Sequence, residues 1–345
     1  MNEFKKDIRE LARMKFGEIS EKVEQRLIAE TDAIMEYGRC EMLRTMWHLV
    51  DELKKHDINI SLSLGQGYNV SLVCYLLGIS TFNPMGHPDL QTERYAISAF
   101  DPIKQASEII FKIDKDQPEV IDRFFHSLKY EVERTDVPGG FHTRKVKSVI
   151  EGNSDFTLEF KYVPNVGRIR IAGELIGWEE FEKIPKDDIV TIKLIHDINI
   201  FGTTTSSLDP ITIEAIREIR PSNVSQLADA MSFTSERKYS HLLKYLENRE
   251  TGNKVYTGYP KIDEILSPTH GILLNTSQLA QIFKMPLRSE LGETDYNTIR
   301  KKYRSLMASP ILTKCDIYVK AYNLYRLAYV KVHYPEVFRQ LMALI

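Results

Sequence analysis

The sequence predicts an α+β chain in which strands and helices mix over the first 190 residues and helices dominate the remainder. Three observations carry this reading. Apolar residues recur at helical spacing through 19–55, Glu108 to Ile113 is a short β-rich run, and helical segments follow Ile184-Pro185-Lys186-Asp187-Asp188. The predicted organisation is a charged helix at 1–18, a strand-containing domain at 19–190 and a mainly helical domain at 191–345.

Composition sets the outer limits. With 345 residues the chain can bury a substantial core and hold two subdomains. No run of about 18 apolar residues offers a membrane span, and the opening MNEFKKDIRELARMKFGE reads as charged helix rather than signal peptide. Cys40, Cys74 and Cys315 are scattered and lack metal-ligand spacing. Reduced thiols in a cytoplasm are therefore expected, with no membrane partner. A net charge of −2 confines any DNA-binding face to a local patch.

Val23, Leu27, Ile34 and Met35 mark one helix, and Met42, Met46, Leu49, Val50 and Leu53 a second, with Gly38 between them. Leu62 to Asp89 follows, LSLGQGYNVSLVCYLLGISTFNPMGHPD. It has a Gly-x-Gly turn at Gly65 and Gly67, an apolar helix from Val70 to Leu77, a stop at Gly78 and an exit at Asn83-Pro84. Backbone amides and the dipole at such a helix start suit a phosphate; a plain strand-to-helix turn satisfies the same pattern. The strand at 108–113 leads to a helix begun by Pro118 and carried on Val120, Ile121, Phe124, Phe125 and Leu128.

From Gly167 to Ala172, Arg168 and Arg170 alternate with Ile169 and Ile171, which predicts a strand with one basic face, solvated or turned toward phosphate. Asp209 to Arg220 is a capped helix ending before Pro221, and Val224 to Met231 begins another. Arg300-Lys301-Lys302-Tyr303-Arg304 is the most basic run, the wet face of a helix or a contact to DNA backbone. Ser277 to Phe283 with Tyr296 to Leu306 also admits a helix-turn-helix, although about ten residues separate the two, more than the usual short turn.

These motifs resemble the palm and fingers core of the catalytic alpha subunit of bacterial DNA polymerase III, the C-family replicative polymerases. Ser71-Leu72-Val73-Cys74-Tyr75, Gly78-Ile79-Ser80 and Asn83-Pro84 fit its nucleotide loop, and Arg26-Leu27-Ile28-Ala29-Glu30 fits a run in the helix before it. Glu119-Val120-Ile121-Asp122, Pro138-Gly139-Gly140 and Leu291-Gly292-Glu293-Thr294-Asp295 fit further markers. Near the C-terminus Lys314, Ala321, Ala328, Tyr329, Lys331, His333, Tyr334 and Pro335 are in register without a gap. The resemblance runs in order through 19–342 and implies a mixed-sheet, polymerase-like palm followed by a mainly helical fingers domain.

The chemistry-bearing positions depart from the family. Gln66 stands where the loop has an arginine, Tyr68 where it has a serine, and the loop is one residue short. Registering on Asp101-Pro102 and the Glu119 helix puts Glu108 and Ile110 at two metal-binding aspartates and Lys112 at the next alternate position. Ala172 takes the third aspartate, and Asp316 replaces a histidine near the incoming nucleotide. Two-metal phosphoryl transfer needs converging carboxylates, which an isoleucine and a lysine do not supply.

The resemblance so altered implies a catalytically inactive homologue acting as a DNA-binding or regulatory protein of replication or transcription, of a kind a phage or mobile element could carry. Gly65, Gln66, Gly67, Tyr68 and Ser71 would be the altered nucleotide loop. Arg168, Arg170, Arg300, Lys301, Lys302, Arg304 and Lys314 are candidate DNA contacts, and a protein partner is an option. No cofactor or metal is expected. The alternatives are a minimal nucleotidyltransferase, holding magnesium through Glu108 with Asp114, Asp116 or Glu174, and a helix-turn-helix regulator.

Overall fold

The computed structural model describes residues 3–63, 67–87, 90, 92–101, 108–137, 141–148, 156–163, 166–197, 208–233, 239–252, 257–284, 297–298, 301 and 313–343. The chain divides into two compact units, Met1–Lys183 with Glu336–Ile345, and Ile184–Pro335. Among the described residues no helix is long and apolar enough to cross a membrane.

The first unit opens with three helices: α1 (Glu3–Phe16), α2 (Glu21–Glu36) and α3 (Cys40–Lys55). The charged opening stretch is more than a wet helix, because α1 buries Phe4, Ile8 and Ala12 at i, i+4 and i+8. Ser20 caps α2 by accepting a bond from Val23 N. Gly38, at φ +65, makes the break before α3 that the sequence predicts.

Among the described residues, five strands form one mixed sheet: β1 (Ile60–Leu62), β2 (Glu108–Ile113), β3 (Tyr130–Val137), β4 (Phe141–Ser148) and β5 (Phe156–Tyr162). Their spatial order is β1-β2-β5-β4-β3, with β2 and β5 parallel and every other pair antiparallel. One face of β1, β2 and β5 is core: Ile60, Leu62, Ile109, Phe111, Ile113, Phe156, Leu158 and Phe160 are all buried. The period of two then turns Ser61, Ile110, Lys112, Thr157, Glu159 and Lys161 to the opposite, more open face. α4 (Leu72–Leu76) and α5 (Thr92–Phe100) lie between β1 and β2, and α6 (Pro118–Ser127) between β2 and β3.

The predicted strand over Gly167–Ala172 is instead helix. α7 (Arg168–Ile176) starts from Gly167 at φ +89, and the Ile171 amide already donates to the Gly167 carbonyl at 2.9 Å. Four alternating residues are too few to separate a strand from a helical turn. Contact decides: a Cβ on Gly173 would meet the Trp178 ring at 2.9 Å, so the α7 face with Ala172 and Gly173 packs closely on α8 (Trp178–Glu182).

A charge cluster joins the hairpin strands to α6. Arg144 on β4 is 1% exposed, and its Nε and Nη2 donate to the two Asp122 carboxylate oxygens at 2.6 and 3.3 Å. Arg144 Nη1 also donates to Asp136 Oδ1, while His142 sits with Nδ1 against Asp136 and Nε2 against Asp116. Asp122, from the Glu-Val-Ile-Asp marker, is thus an internal ion-pair partner.

The second unit is helical: α9 (Ile189–His196), α10 (Pro210–Ile219), α11 (Val224–Ala230), α12 (Tyr239–Thr251), α13 (Pro260–Leu266), α14 (Thr276–Lys284) and α15 (Lys314–His333). Asp209 and Asn223 cap α10 and α11 through their side-chain oxygens, and Arg220 ends α10 at φ +49. The chain closes with α16 (Pro335–Ala343).

Removing Asp122 takes two charged hydrogen bonds from the buried Arg144 and leaves it the partly exposed Asp136 as carboxylate partner. Asp122→Ala is expected to lower the unfolding free energy by about 1.5–3 kcal/mol, read from the urea midpoint. Converting Asp122 to Leu and Arg144 to Met together restores most of it; a loss as large in the double variant would refute this account.

Candidate functional site

The nucleotide-loop candidate divides into what can and cannot be placed. Gly65 and Gln66 lie outside the described residues. Gly67 to Val70 form a buried 3₁₀ turn rather than the first turn of the apolar helix. A Cβ on Gly67 would meet the Tyr95 carbonyl oxygen at 2.5 Å and Ala99 Cβ at 2.9 Å, so glycine is needed for the close approach to α5. Tyr68 is a buried residue. It is 1% exposed, its ring packs edge-on against Phe100, its hydroxyl makes no hydrogen bond among the described residues, and burial pushes its pKa well above the ordinary phenol value.

The start of α4 is already occupied. Ser71 is its cap, accepting a bond from Cys74 N at 3.1 Å. The remaining donors converge on the fully buried carboxylate of Glu30 from α2: Ser71 Oγ at 2.6 Å, Leu72 N at 3.0 Å and Val73 N at 3.0 Å. Arg26 Nε adds a fourth at 2.5 Å, and its other nitrogens donate to Thr92 Oγ1 and the Val70 carbonyl. The helix end that suits an anion therefore binds an internal one. At the other end of α4, Gly78 at φ +68 is the predicted stop.

The β2 candidates fall on the open face of the sheet. Ile110 and Lys112 are both half-buried there, together with the backbone position of Glu108. Their neighbour is β5, not the stretch ending in Ala172, which is buried in α7 and outside the sheet. Register sets Ile110 beside Glu159 and Lys112 beside Lys161, with Ser61 on the other side of Lys112. Burial, and then the Lys161 charge, holds the Lys112 pKa below the usual lysine range. Sequence reasoning missed β5, although Phe156-Thr157-Leu158-Glu159-Phe160-Lys161-Tyr162 alternates cleanly.

The predicted basic strand face is corrected. Arg168 and Arg170 form no basic strand face; they are 9% and 4% exposed on α7, and burial lowers the pKa of each. Arg170 Nη2 donates to the Gly78 carbonyl at 2.7 Å, which ties α7 to the end of α4. In the second unit, Arg300, Lys302 and Arg304 lie outside the described residues, while Lys301 and Lys314 are exposed. Asp316 is fully buried and takes part in the α15 cap, its amide donating to Thr313 Oγ1 and its carboxylate accepting from that hydroxyl.

Carboxylates offered for a displaced metal site are dispersed. Asp114 accepts from the Asn59 amide and side chain at 2.8 and 2.7 Å, Asp116 faces His142, and Glu174 is exposed on α7. Among the described residues no group of three or more His, Cys, Asp or Glu is placed to hold a metal ion.

The described residues form an α+β protein with a five-stranded mixed sheet, and its first part is similar to polymerase III alpha. Residues 2–113, about a third of the chain, match the family model of the bacterial DNA polymerase III alpha NTPase domain. That span runs from α1 through β2 and includes both the Glu30 clamp and the Ile110-Lys112 strand. No curated protein matches the chain significantly.

The clamp is expected to be worth more than an ordinary cap. Glu30→Ala should cost about 3–5 kcal/mol in urea unfolding because it leaves the buried Arg26 only the exposed Glu93 carboxylate at 4.0 Å and takes the acceptor from the Leu72 and Val73 amides. Ser71→Ala should cost about 1 kcal/mol, the usual worth of a cap. Equal losses in the two variants would contradict the assignment.

Proposed function

We propose that the chain is a polymerase III alpha-like core that no longer runs metal-dependent nucleotidyl transfer and serves as a DNA-binding or regulatory module. The observation that carries this reading is the open face of β2, where Ile110 stands at one of the two positions, with Glu108, that the resembled strand gives to metal-binding aspartates, and Lys112 at the next alternate position. An isoleucine offers no ligand, and an ammonium repels a divalent cation. The internal carboxylate at the start of α4 supports the same reading, since it takes the amides that would face a triphosphate. The relationship of residues 2–113 to a replicative polymerase supports DNA as the partner. The exposed ammoniums of Lys301 and Lys314 are its candidate backbone contacts in the second unit.

A second reading has one observation in its favour. Glu159 lies beside Ile110 on the same face, so a carboxylate is present close to the strand that lost one. A nucleotidyltransferase built on Glu159 with Glu108 would extend a primer in magnesium or manganese and lose that activity in Glu159→Ala.

The pure protein is expected to give no extension of a primer-template above a buffer blank in either metal. It is expected to bind primer-template DNA with an affinity that falls steeply as salt rises from 50 to 200 mM, on the order of a hundredfold or more if several phosphates are contacted. Metal-dependent extension would overturn the inactive reading, and an absence of DNA binding at low salt would overturn the DNA partner.

A further inference from the structure

We infer that the open face of the sheet seats a phosphate group between the ammoniums of Lys112 and Lys161, with no metal ion. This deepens the reading of a palm-like face without metal chemistry and rests on it. Lys112 and Lys161 are direct register partners on the parallel strands β2 and β5. Neighbouring strands run about 4.8 Å apart, and partners in register project to one face, so the two side chains leave the sheet side by side. Each is one residue from the end of its strand, Ile113 and Tyr162.

The electrostatics ask for an anion there. Two like charges across adjacent strands oppose each other, and the half-buried Lys112 feels both its burial and the Lys161 charge. Among the described residues neither ammonium makes an ion pair, although salt bridges are formed elsewhere on the same sheet, as between Lys145 and Glu133. Glu159 belongs to the neighbouring register row, beside Ile110. A phosphate carries enough negative charge and enough acceptor oxygens to take bonds from both ammoniums at once, and Ser61, in register on the other side of Lys112, adds a hydroxyl donor. A carboxylate would offer one charge to two cations. The same phosphate chemistry comes from a nucleoside triphosphate or from a nucleic-acid backbone.

The test uses the full chain in EDTA, with inorganic tripolyphosphate as the first probe, measured by calorimetry and by the shift in melting temperature. Tripolyphosphate is expected to bind, and its Kd to rise at least tenfold in Lys112→Met and in Lys161→Met but not in Lys145→Met. Lys161 is exposed, so its variant keeps the fold, and Lys112→Arg should retain binding because the positive charge stays. Unchanged affinity in both methionine variants, or binding that appears only with magnesium, overturns the lysine seat. Repeating the series with dATP and with duplex DNA separates the sources. A loss confined to dATP assigns the seat to nucleotide, and a parallel loss with DNA assigns it to backbone. Primer extension by the wild-type chain would remove the inactive-module reading without touching the tripolyphosphate result, so the two failures are distinguishable.

Discussion

The buried pair Arg26–Glu30 is the interaction on which the first unit depends. Glu30 has both carboxylate oxygens filled by four donors, three of them from the Ser71 to Val73 start of α4. Arg26 extends the same pair to α5 through Thr92 and to the preceding turn through the Val70 carbonyl. One ion pair on α2 thereby fixes α4, the turn at Gly67 and the approach of α5. A buried charge pair is stable only when its remaining hydrogen-bonding capacity is satisfied, and here the helix end and the ion pair satisfy each other.

That arrangement separates scaffold from chemistry. A helix start with free amides is an anion site; one whose amides are bonded to a buried carboxylate is a structural joint. The sheet shows a related division. Its inner face is a run of Phe, Ile and Leu that would serve any protein of this topology, and its outer face carries Ser61, Lys112, Glu159 and Lys161. What can act on a ligand is decided by those outer positions, because alternation along a strand leaves the core unchanged when they are replaced.

Much of this was legible in the sequence because it rests on local rules. The helices at 19–55, the strand at 108–113, the Pro118 helix start and the glycine stops at Gly38 and Gly78 all follow from periodicity and backbone conformation. The Arg26 to Glu30 run was visible as a motif, yet its role was not, since nothing local says that Glu30 meets residues some forty positions away. A separation of 22 residues likewise hid the Asp122–Arg144 pair. The error at Gly167 to Ala172 has a different cause: four alternating residues fit either period, and packing of Gly173 on Trp178 settles the matter. It also displaced Ala172 from the sheet and left β5, the true neighbour of β2, unread.

The most direct measurement of the central claim is the amide NMR spectrum of the folded chain while dATP is added without metal. If Glu30 holds the start of α4, the Leu72 and Val73 amides exchange slowly with solvent and keep their chemical shifts through the titration. Saturable shifts of those two amides, with faster exchange at Ser71 to Val73, would mean that the carboxylate gives way to a phosphate and that the loop still works as a nucleotide site.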